Sequence, residues 1–451
     1  MIGSPLSRWT MAFFAISLVS LVGAEGLIVL GYSFPGAAIE APETLVFVHL
    51  VTIGWLSLLM CGALFQFVPV LVAKPLRRPS LVLPVLLCLT VGLGFLLAGF
   101  LQIGGSIESN LPLLVLGGCL LPLGFALTIW ILAETLWQAR PLPLPARFVA
   151  VGLVCLLAVA LLGSLFAHFL SGLISVDALV AQRDHLVPMH AAAGIGGWLT
   201  FSAIGVSYRL LPMFMLAPDH ERTTSRWVWR TGCAALVALG LGAPIELALG
   251  GSVSRSFAVA GLYGLVALFL YGCDLVFFYR NRKRRAVELN IKAAGGAFAA
   301  LFASALLCTV LAASGLLARH AGALVYLVFF GWLGGLTLSQ LYKIVPFLTW
   351  LECYGPVMGR KPTPRVQDLM AERRDNPWFL LYFAGVVSAT GALLAEESTL
   401  FQGAAAIVWL ATLVIVIELF LARRLANVTA ALRLPEGTRL PHLFVASSPS
   451  R

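Results

Sequence analysis

Three histidines offer the plainest chemistry in this chain. His49, His168 and His190 each stand a few residues inside one end of a long apolar stretch. At about 1.5 Å of rise per helical residue, their depths agree within roughly one turn. Neutral imidazole is the commonest metal ligand, so three rings at one level are expected to hold copper or zinc. Alternatively, His49 binds haem iron from one side. The competing reading is structural: these are interfacial histidines with only neighbours to pack against. His185 and His320 are expected in solvated loops on the same side, and His220 and His442 on the opposite side.

Intramembrane acids add to this set. Glu25, Glu246 and Asp274 lie within apolar stretches, where ionisable groups usually face a bundle interior and mark ion or proton paths. Glu25 and Glu246 are expected near the histidine level, as groups that orient a ligand or accept a proton. Pro244, beside Glu246, is expected to bend its helix and free a carbonyl. Asp274 reads as interfacial, six residues before Arg280.

The elements that position these groups must be membrane-spanning helices. Of 451 residues, 60% are hydrophobic and 11% charged. A soluble domain carries about 25% charged residues, so a soluble globular enzyme is excluded. Apolar stretches run over 10–33, 44–73, 81–103, 111–138, 146–174, 186–216, 228–249, 255–279, 290–318, 322–350, 377–396 and 400–422. Lipid cannot satisfy exposed backbone groups, so each stretch is expected to be a helix, numbered 1 to 12 in chain order. The expected fold is all-α, a single twelve-helix membrane domain over 1–451.

Basic residues orient it. With Arg209 and Lys343 set aside inside helices, 25 Lys and Arg fall on one side and only Arg183, Arg255 and Arg319 on the other. The positive-inside asymmetry predicts both termini in the cytoplasm of a bacterial-type inner membrane. The net charge of +10 then reflects loops facing anionic lipid, not nucleic-acid binding, and the basic run at 280–285 reads as a stop-transfer anchor. No cleavable signal is expected at the first span. Eight cysteines (Cys61, Cys88, Cys119, Cys155, Cys233, Cys273, Cys308, Cys353) show no CxxC or CxxCH spacing, which argues against zinc ribbons and covalent haem attachment. They read as small core residues. No phosphate-binding glycine loop, dinucleotide fingerprint or nucleophile elbow occurs.

A threefold repeat runs through the chain. Helix 2 carries Gly54-Trp55 and then Pro69, helix 6 carries Gly197-Trp198 and then Pro212, and helix 10 carries Gly331-Trp332 and then Pro346. The Trp-to-Pro spacing is 14 in all three. A polar residue (Gln66, Arg209, Lys343) stands three before each proline, an aromatic (Phe65, Tyr208, Tyr342) just before that, and a small residue (Gly62, Gly205, Ser339) seven after each Trp. The pattern describes three equivalent helices round a pseudo-threefold axis, with arcs at about 10–73 with 377–425, 81–216 and 228–350. Glycines permit close helix approach and the proline bends the helix end. Arg209 and Lys343 either snorkel to the interface or join a polar ring flooring a cavity, with a role in proton movement.

Twelve helices in three arcs, with special positions on helices 2, 6 and 10, resemble subunit I of the haem-copper oxidases and the related NnrS-type haem-copper membrane proteins of nitric oxide metabolism. The resemblance is carried by the segment from His49 through Gly54-Trp55 and by His190 through Gly197-Trp198 to Arg209 and Pro212. It implies that His49 is an axial ligand of a b-type haem, that His190 binds copper, and that Trp55, Trp198, Trp332 and Tyr326 line the cofactor. It also implies a respiratory-chain or oxidase-subunit partner. The chain departs from the oxidases in having no histidine on helix 7, while Tyr326 and Ala192 occupy the positions that match His49 in the repeat. These departures argue against a complete oxygen-reducing centre.

Three readings therefore stand open. The first is a haem-binding, copper-competent membrane protein handling nitric oxide, oxygen, copper or electrons; as an enzyme it would be an oxidoreductase of the nitric oxide reductase type. The second is a secondary transporter, with Glu246 at its site. The third is a metal-insertion or assembly factor for a respiratory oxidase.

Overall fold

The computed structural model of the chain describes residues 8–174 and 177–446, with the side chains of 177–181 and 183 excepted. The side chain of Arg183, counted above among the outer basic residues, thus lies outside the described residues. Among them, twelve helices are long and apolar enough to cross a membrane, and there is no strand. They are helix 1 (Thr10–Val29), helix 2 (Pro42–Val72), helix 3 (Pro79–Ile103), helix 4 (Leu113–Trp137), helix 5 (Leu144–Leu170) and helix 6 (Asp184–Met215). Helix 7 (Thr223–Ala248), helix 8 (Ser254–Arg280), helix 9 (Leu289–Ala313), helix 10 (Ala321–Val357), helix 11 (Glu372–Leu394) and helix 12 (Ser398–Arg423) complete the set.

The apolar stretches locate every helix, and the ends differ for local reasons. Helices 1 and 9 stop short of the expected ends because Gly31 and Gly315 adopt left-handed backbone, with φ of 71° at each, which ends a right-handed helix. Helix 7 starts earlier than hydropathy suggests. The Ser225 hydroxyl accepts the Arg222 backbone N–H at 3.1 Å, so its polar first turn is held by a cap rather than by apolar burial.

The chain divides after Ala63 and after Ala286 into two compact units. In the unit built from both chain ends, helix 1 packs on helix 12 and on helix 2, helix 11 on helix 12, and helix 9 on helix 10. In the other unit helices 3, 4, 5 and 6 pack in sequence, and helix 7 pairs with helix 8. Two thirds of the apolar windows of helices 2 and 10 are buried (67% each), against 11% in helix 7 and 17% in helix 8. Helices 2 and 10 are therefore interior elements, whereas helices 7 and 8 present apolar faces such as Leu262 and Phe269 outward, as lipid requires.

The sequence repeat has a direct backbone expression. Helices 2, 6 and 10 each contain a π-helical stretch, Leu50–Ser57, Ala192–Phe201 and Leu327–Gly334. Each begins five or six residues before its Trp and ends two or three after it. π-Helix is rare and is frequently found at functional sites, so three such stretches in one register mark these helices out. Helix 7 has a shorter one, Ala238–Gly242. Trp55, Trp198 and Trp332 are all fully buried. The small residue seven positions on is a contact point: a methyl group at Gly62 would stand 2.5 Å from Phe13 Cβ of helix 1, and one at Gly205 would stand 2.2 Å from Phe148 Cβ of helix 5.

Candidate functional site

His49 ends the α-helical part of helix 2, one residue before the π-helical stretch. Its Nδ1 lies 2.8 Å from the Leu45 carbonyl oxygen. A carbonyl can only accept, so Nδ1 carries the proton and Nε2 is the basic nitrogen of the neutral ring. A ring N–H held by a backbone carbonyl is the usual support of a metal-binding imidazole. The same part of helix 2 contributes to an aromatic cluster centred on Phe330. Phe47 stacks on Phe330 at 6.3 Å between centroids, Trp55 lies at 6.1 Å and Tyr326 at 4.7 Å. Tyr326 also meets the edge of Phe401 at 5.3 Å, and Tyr382 donates a 2.7 Å hydrogen bond to the Phe330 carbonyl. Tyr326 immediately precedes the π-helical stretch of helix 10, in the same place as His49 on helix 2. The donor available here is thus a single imidazole, which would suit one ligand to a haem.

The structure does not gather the three histidines. Among the described residues, no group of three or more His, Cys, Asp and Glu side chains is arranged to hold a metal ion. Helix 5 keeps His168 and His190 apart. His190 of helix 6 packs against helix 5 at Gly163, where a methyl group would stand 3.1 Å from its Cε1, and edge-on to Phe166 at 5.6 Å. His168 points the other way, toward helix 4, with Nε2 3.6 Å from Cys119 Sγ and Nδ1 2.7 Å from the Ser164 carbonyl oxygen. Five residues along a helix rotate the direction by about 140°, so matching depth does not produce convergence.

The acids separate into three kinds. Glu25 is buried at 2% exposure. Its Oε1 accepts a 3.0 Å hydrogen bond from Thr412, while Oε2 has no hydrogen-bond partner. Tyr326 and Tyr382 lie within electrostatic reach of this carboxyl. Glu246 instead accepts the Ser256 backbone N–H at 3.1 Å through Oε2, and so caps the first turn of helix 8. Asp274, at the level of the polar start of helix 7, is fully buried within the protein, accepts the Tyr208 hydroxyl at 2.8 Å, and pairs with Arg222 and the Thr224 hydroxyl.

Arg209 and Lys343 are each held by an acid rather than forming part of a shared polar ring. Arg209 pairs with Asp219, and Lys343 Nζ lies 2.5 Å from Glu288 Oε2, whose other oxygen accepts from Gln367 at 2.9 Å. Charge satisfaction near the helix ends, close to the snorkelling reading, accounts for both. Beside them lies a motif that the sequence reading left unassigned. Tyr208 donates to Asp274, and Tyr342 donates to the buried Asp375, which pairs with Arg374. The signal was present: a buried tyrosine needs a partner for its hydroxyl, and the first repeat has Phe65 at this place.

Outside the spans, Arg319 forms a two-pronged pair with Glu396 at 2.6 and 3.0 Å. This guanidinium holds the Glu396 carboxyl below the usual carboxylate range.

No family model matches the sequence. No curated protein aligns with it significantly either. Among solved structures, the chain is similar to a haem-copper terminal oxidase determined by cryo-EM as a dimer, with a TM-score of 0.66 and 13% identity. The alignment covers 97% of this chain and 85% of that one. At this identity the likeness establishes architecture: the chain has the twelve-helix fold of a haem-copper oxidase subunit.

Proposed function

We propose that this protein is a haem-binding membrane protein of the bacterial inner membrane, with both termini cytoplasmic. In this reading it handles electrons or a diatomic gas, nitric oxide or oxygen, without performing full oxygen reduction. The observation that carries the reading is His49: its Nδ1–H is fixed on the Leu45 carbonyl, at the edge of a π-helical stretch in an oxidase-like fold. A single imidazole could hold haem, because the porphyrin itself would supply four nitrogen donors to the iron, whereas a zinc or cupric centre built by the protein alone needs three or four donors. The lack of CxxCH spacing favours non-covalent b-type haem.

Bound haem would supply reversible one-electron chemistry and an open coordination position for a small ligand. The chain's own residues supply the rest. The Leu45 carbonyl fixes the tautomer and direction of the His49 ring. Phe47, Trp55, Tyr326 and Phe330 fill the space between helix 2 and helix 10 with apolar rings. Glu25, with Oε2 unpartnered, is the place to hold a proton at that level. A partner of respiratory-oxidase type would fit the apolar outward faces.

The test is the absorption spectrum of the purified protein, reduced minus oxidised. The expected result is a Soret band with reducible b-type features, lost or shifted in His49→Ala and retained in His185→Ala. A colourless preparation free of iron overturns the reading and returns the transporter to first place.

A further inference from the structure

Where helix 3 begins and helix 4 ends, cations outnumber acids, and this patch does not rest on the haem reading. Segments 73–81 and 138–147 hold Lys74, Arg77, Arg78, Arg140 and Arg147 and no acid. Glu134 of helix 4 meets two of them, at 3.4 Å from Arg77 Nε and 2.6 Å from Arg78 Nε. Both bonds use Nε, which leaves the terminal nitrogens of the two guanidinium groups for another acceptor. By contrast, Arg226 and Arg365 each have an acid of their own, Glu221 and Asp368. The Arg78 guanidinium lies 4.5 Å from the Trp130 ring centroid, and that of Arg140 lies 3.3 Å from the Trp137 centroid. Stacking holds a guanidinium against the ring while its in-plane N–H groups stay available to an oxyanion. The backbone holds the arrangement in place: the Arg77 N–H donates to Thr135 Oγ1 at 3.1 Å, which pins the loop to helix 4. A methyl group at Gly117 would stand 2.8 Å from the Leu96 nitrogen, so helices 3 and 4 pack tightly and their ends form one surface.

We propose that this patch binds an anionic phospholipid, its phosphate held by Arg77 and Arg78 and an acyl chain lying along helix 4. Arginine meets phosphate oxygens in a forked, charge-assisted geometry. Leu123, Trp130 and Trp137 are all exposed. Spaced seven residues apart, they form one stripe on helix 4, with about 10 Å between successive members. Tryptophan favours the membrane–water boundary, which sets the headgroup at the Trp130 and Trp137 end and the acyl chain toward Leu123. A free anion would use the charges but not the stripe. The charge balance also selects the headgroup. Five cations against one carboxylate attract a lipid whose only charge is its phosphate. The ammonium of a zwitterionic headgroup would instead be repelled by Arg140, which stacks one turn beyond Glu134.

The test is native mass spectrometry of the full-length protein in detergent, titrated with phosphatidylglycerol or with phosphatidylcholine of the same acyl chains. Wild type is expected to bind one phosphatidylglycerol about fivefold or more tightly than phosphatidylcholine, the effect of one or more cations near a headgroup. Arg77→Gln combined with Arg78→Gln is expected to erase that preference. Arg226→Gln combined with Arg365→Gln, which removes as much charge elsewhere, is expected to retain it. Trp130→Leu keeps every charge but removes the ring under Arg78, and is expected to weaken phosphatidylglycerol binding about threefold, the worth of an exposed stack. Equal affinity for the two lipids in wild type, or an equal loss in the two double variants, overturns the site. Displacement of the lipid by inorganic phosphate also overturns it, because a site for the free anion has no use for the apolar stripe.

Discussion

The Tyr208 hydroxyl donates a 2.8 Å hydrogen bond to the Asp274 carboxylate, tying helix 6 to helix 8. The repeat places Tyr342 in the same position, and it donates to Asp375 at the start of helix 11. In both cases an arginine, Arg222 or Arg374, balances the buried acid. A buried carboxylate without such partners would cost several kcal/mol, so tyrosine and arginine are what make these acids tenable. The pair pins the proline-bearing end of its helix. Phe65 of the first repeat lacks the hydroxyl and cannot make the same bond.

Breaking this clamp should be costly in a graded way. Asp274→Asn leaves Arg222 without its counter-charge, and losing one partner of a buried pair costs about 3–5 kcal/mol. The lower end is expected, since the Arg222 side chain is 24% exposed. Tyr208→Phe loses one hydrogen bond to a charged group, about 1.5–3 kcal/mol. Unfolding in detergent should rank Asp274→Asn below Tyr208→Phe and both below wild type; wild-type stability in Asp274→Asn would contradict the clamp.

The close approach at the repeat glycines makes a packing prediction. Gly62→Ala and Gly205→Ala force a methyl group into Phe13 and Phe148, and overpacking of this kind costs about 1–3 kcal/mol. Gly261→Ala and Gly264→Ala meet nothing within 4 Å and should be neutral or slightly stabilising, because alanine is the better helix former. Thermal unfolding of the four variants distinguishes contact from mere helix propensity.

The two intramembrane cations should behave differently. Both side chains of the Arg209–Asp219 pair are well exposed, at 40% and 49%, and an exposed pair is worth about 0–1 kcal/mol. Lys343 and Glu288 are 14% and 10% exposed, so Lys343→Met leaves a largely buried carboxylate and should destabilise clearly more than Arg209→Gln. Equal losses in the two variants would point instead to a shared role.

Glu246 should act through helix 8 rather than through a bound ligand. Removing a cap acceptor costs about 0.5–2 kcal/mol, so Glu246→Ala should lower stability modestly. Amide exchange should rise at Ser256, whose N–H it holds, with the absorption spectrum unchanged. Abolished solute uptake in this variant, with exchange unaltered, would favour a transporter.

Much of this protein is written in its composition. Lipid forbids unsatisfied backbone, so a chain that is 60% hydrophobic and 11% charged must form helices, and its polar breaks mark where they end. The repeat on helices 2, 6 and 10 was legible because close packing demands glycine and bending demands proline at fixed spacing. Their Trp residues proved buried and their backbones π-helical in one register.

What only the tertiary structure decided is where side chains point. Depth along a helix follows from counting residues, whereas direction depends on which neighbour the helix turns toward. Thus His168 meets Cys119 rather than His190, and Glu246 meets a helix end rather than a metal-binding imidazole. Asp274 is buried against Tyr208 from another helix, a partner that its interfacial level does not name. Sequence fixes the level of a group in the membrane through hydropathy; its partner is settled by rotation about the helix axis and packing between helices, which no single span encodes.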